Sequence, residues 1–156
     1  PINLVKNRIN KKLIVTKCLL ISKFYKKFFN RNSKIAVCGL NPHCENFFEL
    51  SEEKKIIVPI ITKLKTKGIH VFGPLSSDTC FFKNIREKYD GILCLYHDQA
   101  LSPIKTLDFF NSINVTAGLP IIRVSPDHGP AFDIAKLKLA KINSVISSIK
   151  FLERHG

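Results

Sequence analysis

The sequence predicts a layered α/β fold, in which helices cover short buried strands. Three apolar runs, residues 34–38, 69–72 and 92–96, are too short for helices, which need about 10 residues or more. Helical patterns precede and separate these runs, so helix and strand alternate along the chain. This alternation is typical of an α/β domain.

The first helix is predicted over residues 12–29. Lysines line one of its faces, which favours a cover helix with a solvated surface over a basic helix lying on a membrane. A turn follows over residues 30–33. The apolar residues recur every three or four positions and form the other face: Ile14, Cys18, Ile21, Tyr25 and Phe28.

Two further helices are predicted before the third strand. Ser51 opens the first of them as an N-cap, and acidic residues follow it at the positive helix end. Pro59 lies within this stretch, so we expect a kink or a late start, and Gly68 ends the helix. The other helix is predicted over residues 79–89.

The last third of the chain carries two more apolar pieces, residues 113–117 and 120–124, after a turn over residues 108–112. A final helix is expected to start near Ala131. Its buried side is predicted to consist of five apolar residues: Ile142, Val145, Ile146, Ile149 and Leu152.

The length of 156 residues, 45% of them hydrophobic, allows a single α/β region over 1–156 with a real core. The chain contains no Met and begins at Pro1, so we expect part of a longer protein. Its five cysteines form no CxxC pair, which favours free thiols in a reduced, cytoplasmic setting. No apolar run approaches the roughly 20 residues that cross a membrane.

The formal charge of +13 raises the possibility of a nucleic-acid-binding module. The lysines are scattered along the chain and no nucleic-acid motif is recognisable, so we expect no nucleic-acid partner. A basic surface also attracts anionic substrates such as phosphates, which is the simpler interpretation.

Polar side chains follow the predicted strands where ligands of open α/β folds bind. His43 comes after the first strand, Asp78 after the second, and His97 with Asp98 after the third. Imidazoles are common ligands for divalent ions, so the two histidines could share an ion with a third ligand from elsewhere. The alternative is that residues 97–99 form a polar turn that caps a helix.

Two basic residues, Lys105 and Arg123, are predicted near the same edge. They could hold a phosphate or carboxylate, and Arg offers a bidentate fork. The alternative for each is surface solvation. Asp127 and His128 close a later strand.

Five segments resemble, in order, the signatures of the 4-hydroxythreonine-4-phosphate dehydrogenase family of pyridoxal 5′-phosphate biosynthesis. The resemblance extends from Pro1 to about Leu152. The segments are Gly-Leu-Asn-Pro-His (39–43), Gly-Pro-Leu-Ser-Ser-Asp-Thr (73–79), Tyr-His-Asp-Gln (96–99), Asn-Val-Thr-Ala-Gly-Leu-Pro-Ile-Ile-Arg (114–123) and Asp-His-Gly (127–129).

The resemblance implies a layered α/β/α fold similar to the isocitrate and isopropylmalate dehydrogenases, without a Rossmann motif. It implies a homodimer that oxidises a phosphorylated substrate with NAD or NADP, followed by decarboxylation to 3-amino-2-oxopropyl phosphate. A paralogue that acts on a four-carbon threonate phosphate is the alternative within this class.

The family also implies a divalent metal (Zn, Mg, Mn or Co) held by three histidines at the dimer interface. Two of them match His43 and His97, and the third is expected just upstream of Pro1, so this chain alone is expected to be inactive. Asp78 and Asp98 are then candidate catalytic proton acceptors, or they orient the histidines.

The family's substrate contacts match Lys105, Asn114 and Arg123. The sequence departs from the family pattern in two places, since residues 44–50 lack the usual glycines and Lys136 replaces a glycine. The loop that meets the dinucleotide in the related dehydrogenases suggests three cofactor-binding residues: His128, Gly129 and Asp133.

Overall fold

The computed structural model describes residues 1–44, 49–129, 131, 132, 134, 137 and 139–156. The sequence predicts one continuous region; in the structure the chain divides into two compact units, Pro1–Ala100 and Leu101–Gly156. Among the helices of the described residues, none is long and apolar enough to cross a membrane.

The first unit is built on a three-stranded parallel sheet in the order β2-β1-β3. The strands are β1 (Ile35–Cys38), β2 (Val71–Leu75) and β3 (Gly91–Leu93). The central strand β1 is buried at all four positions, because it has a neighbour on each side. The prediction of three short strands is confirmed, although β2 begins two residues later than expected and β3 ends earlier. Only β1 is buried throughout, and β3, expected to be buried, is half-buried.

The long helix predicted over residues 12–29 is confirmed as α2 (Lys11–Phe29). The Asn10 side chain accepts a hydrogen bond from the Leu13 N–H at 2.9 Å and caps its start. Asn30 ends it with a left-handed φ of 50°. Ile14 and Cys18 are buried on the predicted apolar face.

The second predicted helix begins late, as Pro59 indicated. Ser51 accepts a hydrogen bond from the Lys54 N–H at 3.2 Å, so its N-cap role is confirmed. A π-helical turn, Glu53–Ile57, leads into α3 (Val58–Lys65), which has Pro59 in its first turn. The helix predicted over residues 79–89 is wrong in extent, because residues 76–82 form turns through short-range backbone hydrogen bonds and only α4 (Lys83–Arg86) is helical.

The core of the first unit lies between α2, α3 and the sheet. The helices of this unit are the 3₁₀ turn Ile2–Leu4, α1 (Val5–Arg8), α2 (Lys11–Phe29), α3 (Val58–Lys65) and α4 (Lys83–Arg86). A further helix, α5 (His97–Leu107), begins at the end of the unit. The core side chains are Ile9, Ile14, Cys18, Ile35, Val37, Ile57, Ile60, Ile61, Leu64 and Val71.

The second unit contains an antiparallel pair of strands and one long helix. The strands are β4 (Ile113–Thr116) and β5 (Arg123–Pro126), and the helix is α6 (Asn143–His155). The predicted start near Ala131 is wrong, since none of the described residues between 131 and 142 is helical.

The predicted buried side of α6 is also wrong. Ser144 and Ser148 are its buried residues, whereas the five apolar residues predicted to be buried are 39–65% exposed. Ser144 Oγ donates to the carbonyl of Ser112 and accepts from the Asp127 N–H at 3.1 Å. These hydrogen bonds turn the serine side of the helix toward the strands and leave the apolar side uncovered.

Candidate active site

Four candidate site residues of the first unit follow the carboxyl ends of its parallel strands. His43 lies in the loop after β1, Asp78 in the loop after β2, and His97 and Asp98 at the start of α5 after β3. All four are exposed. Because parallel strands point the same way, these loops share one edge of the sheet, as the sequence predicts.

The loop that carries His43 is held by a fully buried carboxyl group, that of Glu53. Its Oε1 accepts the N–H groups of Leu40 and Asn41 at 2.7 and 2.9 Å, and its Oε2 accepts the side-chain amide of Asn41 at 2.8 Å. A Cβ at Gly39 would lie 2.8 Å from Cys44 Sγ, so glycine permits this close packing.

Gln99 connects the same loop to the start of α5. Its Nε2 donates to the carbonyl of Gly39 at 2.8 Å, and its Oε1 accepts the N–H of Leu95 at 2.7 Å. The side chain is 6% exposed. A buried amide with both ends paired fixes the distance between the two backbone segments that it joins.

Asp78 is held by Ser76 and lies within electrostatic reach of His43. The hydrogen bond from the Ser76 hydroxyl, at 2.7 Å, is the main cause that lowers the pKa of the Asp78 carboxyl, and interaction with His43 lowers it further. Ser76 Oγ also contacts the carbonyl of Pro42, next to His43. The loops after β1 and β2 are therefore tied together beside the imidazole.

His97 and Asp98 form the first turn of α5, so the alternative interpretation of residues 97–99 as a helix start is also correct locally. His97 Nδ1 lies 2.6 Å from Asp98 Oδ1, and the two side chains are 77% and 73% exposed. A carboxylate on Nδ1 orients the ring and directs Nε2 outward. The position of His97 at the start of a helix is therefore compatible with a role as a metal ligand.

A cavity of about 450 Å³ opens beside His97 and Asp98. Its remaining walls come from residues 1–13 and from Leu95 and Tyr96. The lining is mostly apolar, with Arg8 as a cation among the lining residues. The space is large enough for a small substrate next to His97.

No three potential metal ligands converge in the part of the chain that the structure describes. His43 and His97 each have a carboxylate partner, Asp78 through its electrostatic interaction and Asp98 through direct contact. A carboxylate in direct contact with the second ring nitrogen, as at His97, is typical of histidines that bind metals. Imidazole nitrogen is a donor that suits a divalent ion, so the two histidines fit a metal chemically, and their use as its ligands stays a prediction.

The free thiols of Cys38, Cys80 and Cys94 lie near the carboxyl ends of the strands. Cys38 Sγ is 3.5 Å from Cys80 Sγ and 3.9 Å from Cys94 Sγ. Hydrogen bonding with Cys80 and Cys94, together with burial, raises the pKa of Cys38, and the hydrogen bond with Cys38 lowers the pKa of Cys80. Cys38 therefore stays protonated, in keeping with the prediction of free thiols.

The predicted substrate contacts all lie in the second unit. Lys105 Nζ is 3.0 Å from Asp127 Oδ2 and also contacts the carbonyl of Asp127. Arg123 is exposed and donates from Nη1 to Thr116 Oγ1 at 2.8 Å, across the strand pair. Asn114 is exposed in β4. Each of the three keeps its predicted assignment as a hypothesis.

The predicted cofactor contacts begin just after β5. His128 and Gly129 are exposed, and His128 Nδ1 lies 3.1 Å from the carbonyl of Gly129. Asp133 lies outside the described residues. The cofactor assignment of these three residues stays a prediction.

Sequence reasoning missed Glu53 and Gln99 as supports of the site. The sequence shows Glu53 only as an acidic residue in the first turn of a helix. Its spacing does not predict the hydrogen bond to the loop residue Leu40, 13 positions earlier. Gln99 belongs to the Tyr-His-Asp-Gln segment, but the sequence gives no sign of its backbone partners. In the structure it meets the backbone.

Parallel strands with histidines and acids after their carboxyl ends define an α/β protein whose polar side chains collect at one edge of the sheet, where open α/β folds bind ligands. The chain belongs to the family described as pyridoxal phosphate biosynthetic protein PdxA, whose model matches residues 1–152. The resemblance predicted from the five segments is thereby confirmed.

Individual relatives agree with the family match. The chain is 49% identical over 118 residues to 4-hydroxythreonine-4-phosphate dehydrogenase of Paracoccus denitrificans, which covers 75% of this chain and 37% of that protein. It is 45% identical over 128 residues to D-threonate 4-phosphate dehydrogenase of Salmonella typhimurium, covering 81% of this chain and 39% of that protein.

Among solved structures, 4-hydroxythreonine-4-phosphate dehydrogenase from Klebsiella pneumoniae is similar, with a TM-score of 0.83 and 36% identity. The match covers 99% of this chain and 47% of that one. The α/β fold is confirmed by this similarity. The chain spans less than half the length of the relatives that it matches here.

Proposed function

We propose that the protein oxidises the secondary hydroxyl of 4-phosphooxy-L-threonine with NAD or NADP in pyridoxal 5′-phosphate biosynthesis. The 3-oxo acid then loses carbon dioxide to give 3-amino-2-oxopropyl phosphate. Support comes from the family match over residues 1–152 and from relatives named 4-hydroxythreonine-4-phosphate dehydrogenase at 46–50% identity.

The observation that carries this proposal is the position of His43 and His97 at the carboxyl ends of the adjacent parallel strands β1 and β3. These are the two histidines that match the family's metal ligands. A divalent ion bound there would lower the pKa of the substrate hydroxyl and withdraw electrons during decarboxylation. The described residues contain no group of three such ligands, so a third ligand would have to come from elsewhere.

Asp78 and Asp98 serve the histidines in this proposal. The lowered pKa of Asp78 makes it a weak base, so it is better suited to orient His43 than to accept the substrate proton. Asp98 touches the Nδ1 of His97 and sets the orientation of that ring. Both acids therefore act chiefly through the histidines.

Lys105 and Arg123 bind the anionic groups of the substrate, with Asn114 as a hydrogen-bonding neighbour. The guanidinium of Arg123 is exposed, and its donors beyond the one bonded to Thr116 match a phosphate or carboxylate bidentately. Asp127 partly neutralises Lys105, so Arg123 carries more of the anion affinity.

The dinucleotide lies against the segment after β5, with His128, Gly129 and Asp133 as its contacts. The protein acts as a homodimer with a shared active site. This assembly fits a chain whose described residues do not complete a metal site on their own.

A second candidate is the oxidation of a four-carbon threonate 4-phosphate. The specific observation in its favour is the 45% identity to D-threonate 4-phosphate dehydrogenase of Salmonella typhimurium. The two substrates share the phosphate and the oxidised hydroxyl. They differ at C2, which carries an amine in one and a hydroxyl in the other.

The test is a turnover assay of the full-length protein with each substrate, either dinucleotide, and Zn²⁺, Mg²⁺, Mn²⁺ or Co²⁺. We expect metal-dependent formation of the reduced dinucleotide, a large loss in His97→Ala, and near-normal activity in the control His155→Ala. Turnover of neither substrate by a folded, metal-supplemented protein would exclude both candidates.

A further inference from the structure

The buried amide of Gln99 lies between the two loops that carry the histidines. Gly39, which accepts from its Nε2, is four residues before His43, and Leu95, which donates to its Oε1, is two residues before His97. Both bonds are short and the side chain is 6% exposed. One side chain thus spans the loop after β1 and the start of α5.

We infer that Gln99 is a positioning residue that sets the separation and orientation of His43 and His97. The inference rests on the proposed function for the use of the histidines, but its geometry does not depend on a metal. The amide supplies a donor to one loop and an acceptor to the other, so only one orientation satisfies both.

Glu53 strengthens this inference from the opposite side of the loop. It accepts the N–H groups of the two residues after Gly39, while Gln99 takes the carbonyl of Gly39 itself. Three consecutive residues just before the Pro-His pair are therefore held by two buried side chains. A loop fixed this closely transmits any change at Gln99 to His43.

Substitutions at Gln99 separate the two bonds. Gln99→Met keeps the volume but leaves both the Gly39 carbonyl and the Leu95 N–H without this partner. Gln99→Glu keeps an acceptor for Leu95 and removes the donor to Gly39. Ile60→Val is the matched control, since Ile60 is buried in the core of the same unit, 2% exposed, and contributes nothing polar.

The first measurement needs no metal. Histidine ring signals of the full-length protein are recorded by NMR after selective isotope labelling. We expect Gln99→Met to shift the signals of both His43 and His97 and to leave that of His155 unchanged. Ile60→Val should leave all three unchanged.

The second measurement is a Co²⁺ titration followed by visible absorption, which reports both affinity and coordination geometry. Changes to the partners that support metal ligands weaken metal affinity by about 10–100-fold, and we expect about tenfold weaker binding and an altered absorption band in Gln99→Met. Ile60→Val should bind like the wild type.

The results of the two measurements test the positioning role of Gln99 separately from the proposed function. If Gln99→Met is less stable but its His43 and His97 signals match the wild type, the positioning role is refuted. If the wild type binds no Co²⁺, the proposed metal site fails, and the ring signals alone decide whether Gln99 positions the histidines. If Gln99→Met does not fold, Gln99→Glu is judged by the same ring signals.

Discussion

The buried carboxyl of Glu53 is the most sensitive point of the loop that carries His43. Glu53→Leu keeps a similar volume and removes both oxygens. The N–H groups of Leu40 and Asn41 then lose their acceptor, whereas the Asn41 side chain keeps Glu52 Oε2 at 3.3 Å. The substitution therefore leaves two backbone donors without a partner.

The expected cost follows from these two donors. Each buried unpaired N–H costs about 1–3 kcal/mol, and the buried leucine side chain recovers about 1.5–3 kcal/mol. We expect a net loss of about 2 kcal/mol in the free energy of unfolding. Glu53→Gln retains a carbonyl oxygen for both N–H groups but turns an amide nitrogen toward the Asn41 side-chain amide, so it should cost about 1 kcal/mol, less than Glu53→Leu.

The assay is urea denaturation of the full-length protein followed by far-UV circular dichroism, with the slope of the transition compared between variants. A lower midpoint at constant slope is the expected result for Glu53→Leu. A midpoint equal to or above that of the wild type would refute the conclusion that this carboxyl holds the loop.

Three further predictions concern single residues. Ser76→Ala should raise the pKa of Asp78, which carboxyl NMR titration measures. The stabilisation from the lowered pKa is present above the ordinary pKa and is lost as pH falls through the lowered one. In the variant this stabilisation is therefore smaller, and its loss is complete at a higher pH. Gly73→Ala should cost about 2 kcal/mol or more and lower the Tm, because the φ of Gly73 is +120° and the new Cβ would clash with the carbonyl oxygen of Val37 in β1. An unchanged Tm would contradict this. Lys105→Met should cost about 1–3 kcal/mol in urea denaturation by leaving Asp127 unpaired, whereas methionine at an exposed lysine of α6 should cost almost nothing.

The sheet and the long helix were predictable because hydrophobic spacing alone encodes them. Residues 35–38 are consecutive, apolar and buried, as a central strand requires. The helix over residues 12–29 has a clear apolar face, an Asn cap and basic residues in its last turn. The positions of His43 and His97 in the segments after β1 and β3 were predictable from the order of the strands, whereas their use as metal ligands stays a prediction.

The orientation of α6 could not be read from its sequence, because polar contacts decide it. Its apolar residues form a regular face, yet Ser144 and Ser148 are buried since Ser144 bonds to Ser112 and Asp127. Hydrophobic periodicity carries no information about such partners. Gln99 and its bond to Gly39 escaped prediction for the same reason, because the two residues are 60 positions apart.

His43 and His97 are proposed to bind a metal used in dehydrogenation. The most direct measurement is dinucleotide reduction by the full-length protein with 4-phosphooxy-L-threonine, before and after chelation and with added metal. We expect activity that chelation abolishes, that metal restores, and that His43→Ala and His97→Ala lack. Full activity in either variant, or activity that survives complete metal removal, would contradict the claim.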